Sequence, residues 1–277
     1  MYTRYPKAWK EYVCPDAASL SKFWTEMPAT APYVRGRACL QRPDRNSRCI
    51  PMSLHGDGVQ VTGLGKTWAK GCDAYSMSSL LSNTGGSGIT NALLGLLPSD
   101  LLEHPAAVDD FFRRLRWSLN CLAEGTWPRS DHRGVDFPEG SVDRRRAGRP
   151  LASGFYAVIL CVKGDLDFVS KSLKGPNASS AAPCALCECD MSDRPFWDLS
   201  PEAAWRRTTR DLQSPCPLFA SDLTLQHLVP DWMHSKHLGT DAYAAGSVLA
   251  ILTYVKMNLF RNYNSAVSVR FEMHRLF

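Results

Sequence analysis

The strongest constraint in this sequence is an apolar run, FYAVILCV, at residues 155–162. The run is rich in residues that favour β-structure and is bounded by Gly154 and Gly164, so it predicts a strand that is buried on both faces. Such strands belong to sheets that helices cover on both sides. The chain is therefore predicted to have an α/β fold built around this strand.

Two further strands are predicted upstream. From Ile50 the sequence becomes partly alternating, with Val59 and Val61 on one side, and it then reaches a glycine-rich turn. Residues 72–81 provide a partner strand, and a turn-rich loop follows at residues 83–88. These elements predict a hairpin that precedes the buried strand.

Helical spacing is clearest from Ala106 to Glu124, where apolar residues recur every three or four positions between charged ones. Residues 1–48 form a lead-in segment with a helix at about 17–27, which Asp16 or Ser19 could cap. The sequence thus predicts one long helix between the hairpin and the buried strand.

Composition describes a folded protein with a weakly basic balance. The 277 residues are 44% hydrophobic and 21% charged, which is close to the globular average. The net charge of +5 and the pI of about 8.7 are compatible with a polyanionic partner, but fall short of the pI above about 9 that would argue for one alone. No apolar run is long enough to span a bilayer, and the N-terminus has no apolar core of a secretory signal. We therefore expect no membrane partner and no secretion.

The second half of the chain is less regular. A polar segment at 129–150 carries Arg144, Arg145, Arg146 and Arg149. It is predicted to be an exposed loop, whose arginines either contact phosphate or are simply solvated. Beyond Gly175 the sequence is rich in Ala, Ser, Pro and Cys, and helical patterns return at 201–209 and 240–259.

Asp57 is the first candidate for chemistry. It lies between Gly56 and Gly58 in the first predicted strand, so a metal ion and a phosphate could approach its carboxylate. The alternative is an Asp-Gly turn in a hairpin. A phosphate loop at Gly65-Lys66-Thr67 is excluded, because the glycine that the motif needs five positions earlier is missing.

Asp165 is the second candidate, because it follows the carboxyl end of the buried strand, where open α/β sheets bind ligands. Two carboxylates on neighbouring strands could hold the divalent ions of phosphoryl transfer. Asp167 would point to the other face of a continuing strand, so one of the two aspartates serves a metal and the other could cap the next helix.

The third candidate is a group of possible zinc ligands. Two cysteines in a C-x-x-C turn can share one zinc ion, which then needs two more ligands. The available side chains are Cys184, Cys187, Cys189, Asp231, His234 and His237. Two alternatives stay open: buried thiols beside a core histidine, and a redox pair with an exposed thiolate of lowered pKa.

Taken in order over residues 50–245, these motifs resemble the transposases grouped as CACTA-like, Plavaka and Kyakuja-Dileera-Zisupton. The first acid of those families is matched by Asp57 in LHGDGV, and the second by Asp165 in KGDLD. Their C-x-x-C and [C/D]-x-x-H elements are matched by Cys184/Cys187 and by Asp231/His234. The following HLGT, which starts at His237, is similar to a run those proteins often have there.

The resemblance implies a DDE-type transposase with an RNase H-like mixed-sheet core at residues 49–175 and a mainly helical, Cys/His-containing insertion at 176–277. It implies catalytic Mg²⁺ or Mn²⁺ at Asp57 and Asp165, and structural Zn²⁺ at Cys184, Cys187, Asp231 or His234, and His237. It also implies DNA as partner at transposon ends, a possible homo-oligomer and a nuclear location.

One departure from the family pattern stands out. The third acid of the triad follows the insertion, and the final stretch offers only Glu272, which matches no motif. We therefore expect an incomplete and inactive copy of the core. The alternative is a non-catalytic, zinc-stabilised domain, decayed or domesticated from a transposon, that binds nucleic acid or protein.

Overall fold

The computed structural model describes residues 4–31, 33–62, 70–83, 90–177, 179–210, 214–219, 223–230, 241 and 244–248. Contacts divide the chain into two compact units, Met1–Val229 and Pro230–Phe277. The sheet and the core belong to the first unit, apart from Pro230 at the end of the last strand. In the second unit, Asp241 and residues 244–248 are helical.

A five-stranded mixed sheet forms the centre of the first unit, with the strand order β3-β2-β1-β4-β5. The strands are β1 (Cys49–Thr62), β2 (Lys70–Ser79), β3 (Ala92–Pro98), β4 (Tyr156–Gly164) and β5 (Leu228–Pro230). Strands β1, β2 and β3 pair antiparallel, whereas β4 pairs parallel with β1. The α/β class is confirmed, and the apolar run forms an interior strand between β1 and β5.

Six α-helices occur in the described part of the first unit: α1 (Pro6–Tyr12), α2 (Ala17–Glu26), α3 (Arg45–Arg48), α4 (Ser99–Leu102), α5 (Pro105–Glu124) and α6 (Val142–Arg146). Helix α5 is the long helix predicted from the sequence, and it connects β3 to β4. Its apolar stripe, including Phe112 and Leu115, is buried. It ends at Gly125, whose left-handed backbone (φ 76°) a glycine adopts without strain.

The N-terminal segment packs into the same core. Asp16, one of the two caps that the sequence left open, caps α2 by accepting a hydrogen bond from the Ser19 amide at 2.6 Å. The indole of Trp24, which is fully buried, donates to the carbonyl of Cys49 at 2.7 Å. Ser79 at the end of β2 donates to the carbonyl of Val13 at 2.5 Å. Residues 4–48 are thus fastened directly to β1 and β2.

The segment after β4 differs from the prediction. A helix was expected at 201–209, but the structure has only a short 3₁₀ turn there, at Ala204–Arg207. Aspartates organise this segment locally instead. Asp190 accepts from the amides of Ser192 and Arg194, and Asp198 accepts from that of Ser200, which favours turns over helix.

Strand β3 was not predicted, because ALLGLLP combines an apolar run with glycine and proline and lacks strand alternation. Among the described residues, no helix is both long and apolar enough to cross a membrane.

Candidate functional site

The two predicted acidic positions lie next to each other in the sheet, at the edge where the pairing of β1 with β4 ends. The last paired residues of these parallel strands are His55 and Lys163. Asp57 and Asp165 each follow two residues later. Ligand sites of open α/β sheets form at this edge, since the carboxyl ends of parallel strands meet there.

The ring of Phe168 occupies the space beside two glycines at this edge. A Cβ atom at Gly56 would lie 2.1 Å from the Phe168 ring, and one at Gly164 would lie 2.2 Å from it. The openness that the sequence suggests around Asp57 is therefore absent at Gly56. It is present at Gly58, where the nearest atom to an added Cβ is an Asp73 carboxylate oxygen at 4.0 Å.

Asp57 lies on the face of the sheet opposite to Phe168. Tyr75 pairs with Gly56, and its ring lies 5.9 Å from Phe168 and 4.6 Å from Phe111 of α5. Successive residues of a strand point to opposite faces. Since Gly56 faces Phe168 and α5, the neighbouring Asp57 faces away from them.

Asp165 caps a helical turn. Its carboxylate accepts a hydrogen bond from the Phe168 amide at 2.6 Å, at the start of the π-helical turn Phe168–Ser172. Asp167 instead makes an exposed ion pair with Lys171 at 2.6 Å. The capping role that the sequence left open between the two aspartates therefore belongs to Asp165.

A cavity of about 480 Å³ lies beside Asp165 on the α5 side. Its charged and polar lining includes Asp73, Glu103, Asp165, Asp167, Lys171 and Ser172. Four carboxylates face one lysine, so the cavity attracts cations rather than anions.

Asp73 is the residue of this cavity that sequence reasoning missed. Its carboxylate accepts from the hydroxyl of Ser172 at 2.8 Å and from that of Tyr75 at 3.4 Å. Burial raises the pKa of Asp73 above its usual range; the two hydrogen bonds oppose that rise, and the charge of Asp165 adds to it. No local signal marks this residue, because Ser172 is 99 positions away in the sequence.

The three clustered cysteines form a second site. The sulfur atoms of Cys184, Cys187 and Cys189 all lie within 4.8 Å of one another and could hold a metal ion. In the part of the chain that the structure describes, no other group of three His, Cys, Asp or Glu side chains comes as close together. The sulfur of Cys184 accepts hydrogen bonds from the amides of Leu186 and Cys187, both at 3.3 Å.

The electrostatics of the cluster single out Cys184. Burial alone would raise the pKa of this half-buried thiol, but hydrogen bonds from two amides and from the neighbouring thiols lower the pKa below its usual value. Burial raises the pKa of Cys187 to about 11. Without a metal, Cys184 therefore ionises before Cys187, and a bound metal ion would displace thiol protons.

The chain around residues 205–210 supports the cysteine loop. The amide of Arg210 donates to the carbonyl of Leu186 at 3.0 Å, and the amide of Glu188 donates to the hydroxyl of Thr208 at 2.9 Å. Arg194 pairs with Glu188. The other predicted zinc ligands, Asp231, His234 and His237, lie outside the described residues.

Together the fold and these two sites define an α/β protein with an open five-stranded mixed sheet, an acidic edge and a three-cysteine cluster. No protein-family model, curated protein or solved structure matches the chain. The functional assignment therefore rests on the geometry and the sequence motifs.

Proposed function

We propose that this chain is a transposase-derived protein with an RNase H-like core of the DDE type. The observation that carries the proposal is the strand arrangement: three antiparallel strands, a helical crossover, and β4 parallel to β1, with an aspartate two residues beyond the last β1–β4 pair in each strand. This order agrees with the core that the motif resemblance implies. It also gives Asp57 and Asp165 equivalent positions on neighbouring strands.

The two aspartates suit Mg²⁺ or Mn²⁺, which prefer hard oxygen ligands. When bound, such ions activate water and stabilise the leaving oxygen of phosphoryl transfer. The Asp57 side chain faces away from α5, whereas Asp165 lines the cavity on the α5 side. One ion would therefore be shared only across the edge of the sheet, between Asp57 and the Asp165 carboxylate oxygen that does not accept from Phe168.

We further propose that strand cleavage and transfer, which belong to the complete family, are lost or incomplete here. Nowhere among the described residues do three carboxylates gather within 4.8 Å of one another. One carboxylate oxygen of Asp165 is already engaged by the Phe168 amide. Both observations favour the second candidate, a non-catalytic domain that binds nucleic acid or protein in the nucleus.

For the cysteine cluster we propose a structural zinc ion. Thiolates are soft ligands that favour zinc, and a structural site has four ligands, such as four cysteines, three cysteines with one histidine, or two of each. Cys184, Cys187 and Cys189 supply three, and the sequence motifs suggest Asp231, His234 or His237 as the fourth. The ion would fasten the loop at 184–190 to the rest of the insertion.

Manganese binding tests the acidic site. Mn²⁺ would be titrated into the full chain and followed by electron paramagnetic resonance, with Asp57→Asn, Asp165→Asn and a matched control, Asp110→Asn. We expect the first two substitutions to weaken binding and the control to leave it unchanged, because Asp110 makes only an exposed ion pair with Arg114 and does not line the acidic cavity. If all three variants bind Mn²⁺ like the wild type, the metal site is wrongly assigned.

A nicking assay on supercoiled plasmid with Mn²⁺ separates the two candidates. The non-catalytic domain predicts no nicking by the wild-type chain. Nicking that Asp57→Asn abolishes would show an active core with a third acid still to be assigned.

A further inference from the structure

Two arginine-rich segments carry the positive charge of this protein. Residues 35–48 and 125–150 together contain eleven arginines, no lysine and five acidic residues, a net charge of +6. The whole chain has a net charge of +5, so the remaining residues together are slightly acidic. The net charge of the whole chain is therefore small although these two segments are strongly basic.

The fold brings these segments to the same end of the sheet. Arg42 donates to the carbonyl of the last residue of α5 at 3.1 Å. Arg48, which directly precedes β1, lies 5.0 Å from the ring of Phe155, which directly precedes β4. The second segment starts and ends at the same place, because the amide of Trp127 donates to the carbonyl of Arg149 at 2.9 Å.

Some of these arginines serve the structure. Arg37 is buried and donates to the carbonyl of Ile159 at 2.6 Å. Arg129 and Arg144 both pair with Asp136 at 3.1 Å. Six others are exposed, Arg35 among them, and no carboxylate of the described chain lies within ion-pair distance of them. The other five form what we call the arginine surface: Arg48, Arg133, Arg145, Arg146 and Arg149.

Aromatic rings orient the guanidinium groups of two residues of the arginine surface. The guanidinium of Arg146 lies 5.2 Å from the ring of Trp127, and that of Arg48 lies 5.0 Å from Phe155. Such stacking restricts the guanidinium plane while its N–H groups stay free to donate. Less conformational entropy is therefore lost when these groups bind an anion.

The arginine surface and the acidic edge lie at opposite ends of the paired part of β1 and β4. From Arg48 to Asp57 the strand advances about 30 Å, at roughly 3.3 Å per residue. A polyanion is attracted at the first end and repelled at the second, where Asp73, Asp165 and Asp167 gather. The charge pattern therefore orients a long polyanion relative to the sheet.

We propose that the arginine surface binds the phosphate backbone of duplex DNA. Planar guanidinium groups donate two parallel hydrogen bonds to a phosphate, which lysine cannot do, and the basic segments contain no lysine. Surfaces for anionic lipid use lysine and arginine alike. The proposal shares its ligand with the proposed function, but it depends on none of the residues of the metal sites.

The test is fluorescence anisotropy of a labelled duplex of about 20 base pairs with the full chain, at rising salt and without added Mg²⁺ or Mn²⁺. The variant combines Arg133→Gln, Arg145→Gln and Arg149→Gln, which are exposed and stack on no ring. The charge-matched control combines Arg113→Gln, Arg114→Gln and Arg207→Gln, which are exposed elsewhere.

We expect the arginine-surface variant to bind about tenfold more weakly, uniformly across DNA sequences. The slope of log Kd against log salt should fall by about 0.9 for each phosphate that the variant no longer neutralises. The control should stay within about twofold of the wild type, because its charges lie off the surface.

Equal weakening in both variants would overturn the proposal, because net charge alone would then explain binding. So would wild-type binding to phosphatidylserine vesicles without binding to the duplex. The proposed metal site is judged separately: loss of Mn²⁺ binding in Asp57→Asn with DNA binding intact leaves both ideas standing, and normal Mn²⁺ binding there overturns only the metal site.

Discussion

Phe168 sets how closely the chain packs at the acidic edge, and two glycines make room for it. We predict that Gly56→Ala destabilises the protein by about 1–3 kcal/mol, because the new methyl group would overlap the ring and overpack the site. The overlap is severe, since the Cβ atom would lie 2.1 Å from the ring. Urea unfolding of the variant and the wild type measures the difference.

Gly58→Ala is the matched control, two positions along the same strand. Its Cβ atom would meet only an Asp73 oxygen at 4.0 Å, an ordinary contact. We expect its free energy of unfolding to stay within about 0.5 kcal/mol of the wild type. Equal losses in the two variants would show that Phe168 does not rest on Gly56.

Asp73 should make stability depend on pH. Burial raises the pKa of its carboxyl in the folded protein, so the folded state holds this proton more tightly than the unfolded chain does. Its contribution is present at low pH and is lost as pH rises through the folded pKa. We predict that Asp73→Asn, which cannot ionise, unfolds at higher urea than the wild type near about pH 7, and that the difference shrinks toward about pH 4.

Ser172→Ala is the companion variant for that measurement. It removes the hydroxyl that donates to Asp73 at 2.8 Å, so the carboxylate loses a stabilising partner. The pH dependence should then be steeper than in the wild type. An identical pH profile in the wild type and Asp73→Asn would contradict this account of the carboxyl.

At the scale of elements, periodicity alone predicted most of the sheet and its crossover. The long helix was predicted at 106–124 and observed at Pro105–Glu124, and the buried strand was predicted at 155–162 and observed at Tyr156–Gly164. These elements are long, and their pattern follows directly from which face is buried. Local rules failed where the structure depends on distant partners or on turns, as in the segment after β4.

At the acidic edge, too, the sequence predicted local features but not those that depend on distant residues. Sequence motifs identified Asp57 and Asp165, because each adjoins a recognisable strand. They did not show which face Asp57 occupies, nor that Phe168 fills the space at Gly56, because both depend on strand register and on a ring from another segment. Asp73 was missed for the same reason, since only the fold brings Ser172 to it.

The structure of the cysteine loop at residues 184–190 should depend on bound zinc. We predict that the full chain purifies with about one zinc ion, and that Cys184→Ser and Cys187→Ser lose it while Cys39→Ser keeps it. Loss of zinc should raise hydrogen exchange in residues 184–210 and leave that of β1 and β4 unchanged, since neither strand contains a proposed zinc ligand. Zinc content would be measured by atomic absorption. Equal zinc content in all three variants would show that Cys184 and Cys187 do not bind zinc.

At the scale of the whole molecule, the N-terminal segment and the sheet share one core. Trp9, Leu20, Trp24 and Leu40 are buried together with strand residues such as Ile50. Residues 4–48 therefore stabilise the sheet, although the sequence presented them only as a lead-in. We expect this core to unfold as one cooperative unit, so a destabilising substitution far from the strands should lower the stability of the sheet as well.

Two tryptophans test that cooperativity. We predict that Trp24→Ala costs about 3–5 kcal/mol, because it removes a fully buried ring and its hydrogen bond to Cys49, and opens a cavity. Trp197→Ala, at a site that is 57% exposed, should cost far less. Unfolding would be followed by far-ultraviolet circular dichroism and by tryptophan fluorescence. In Trp24→Ala both signals should move together to lower urea, since helix α2 and the sheet unfold as one; a shift in only one of them would show that the N-terminal segment is a separate unit.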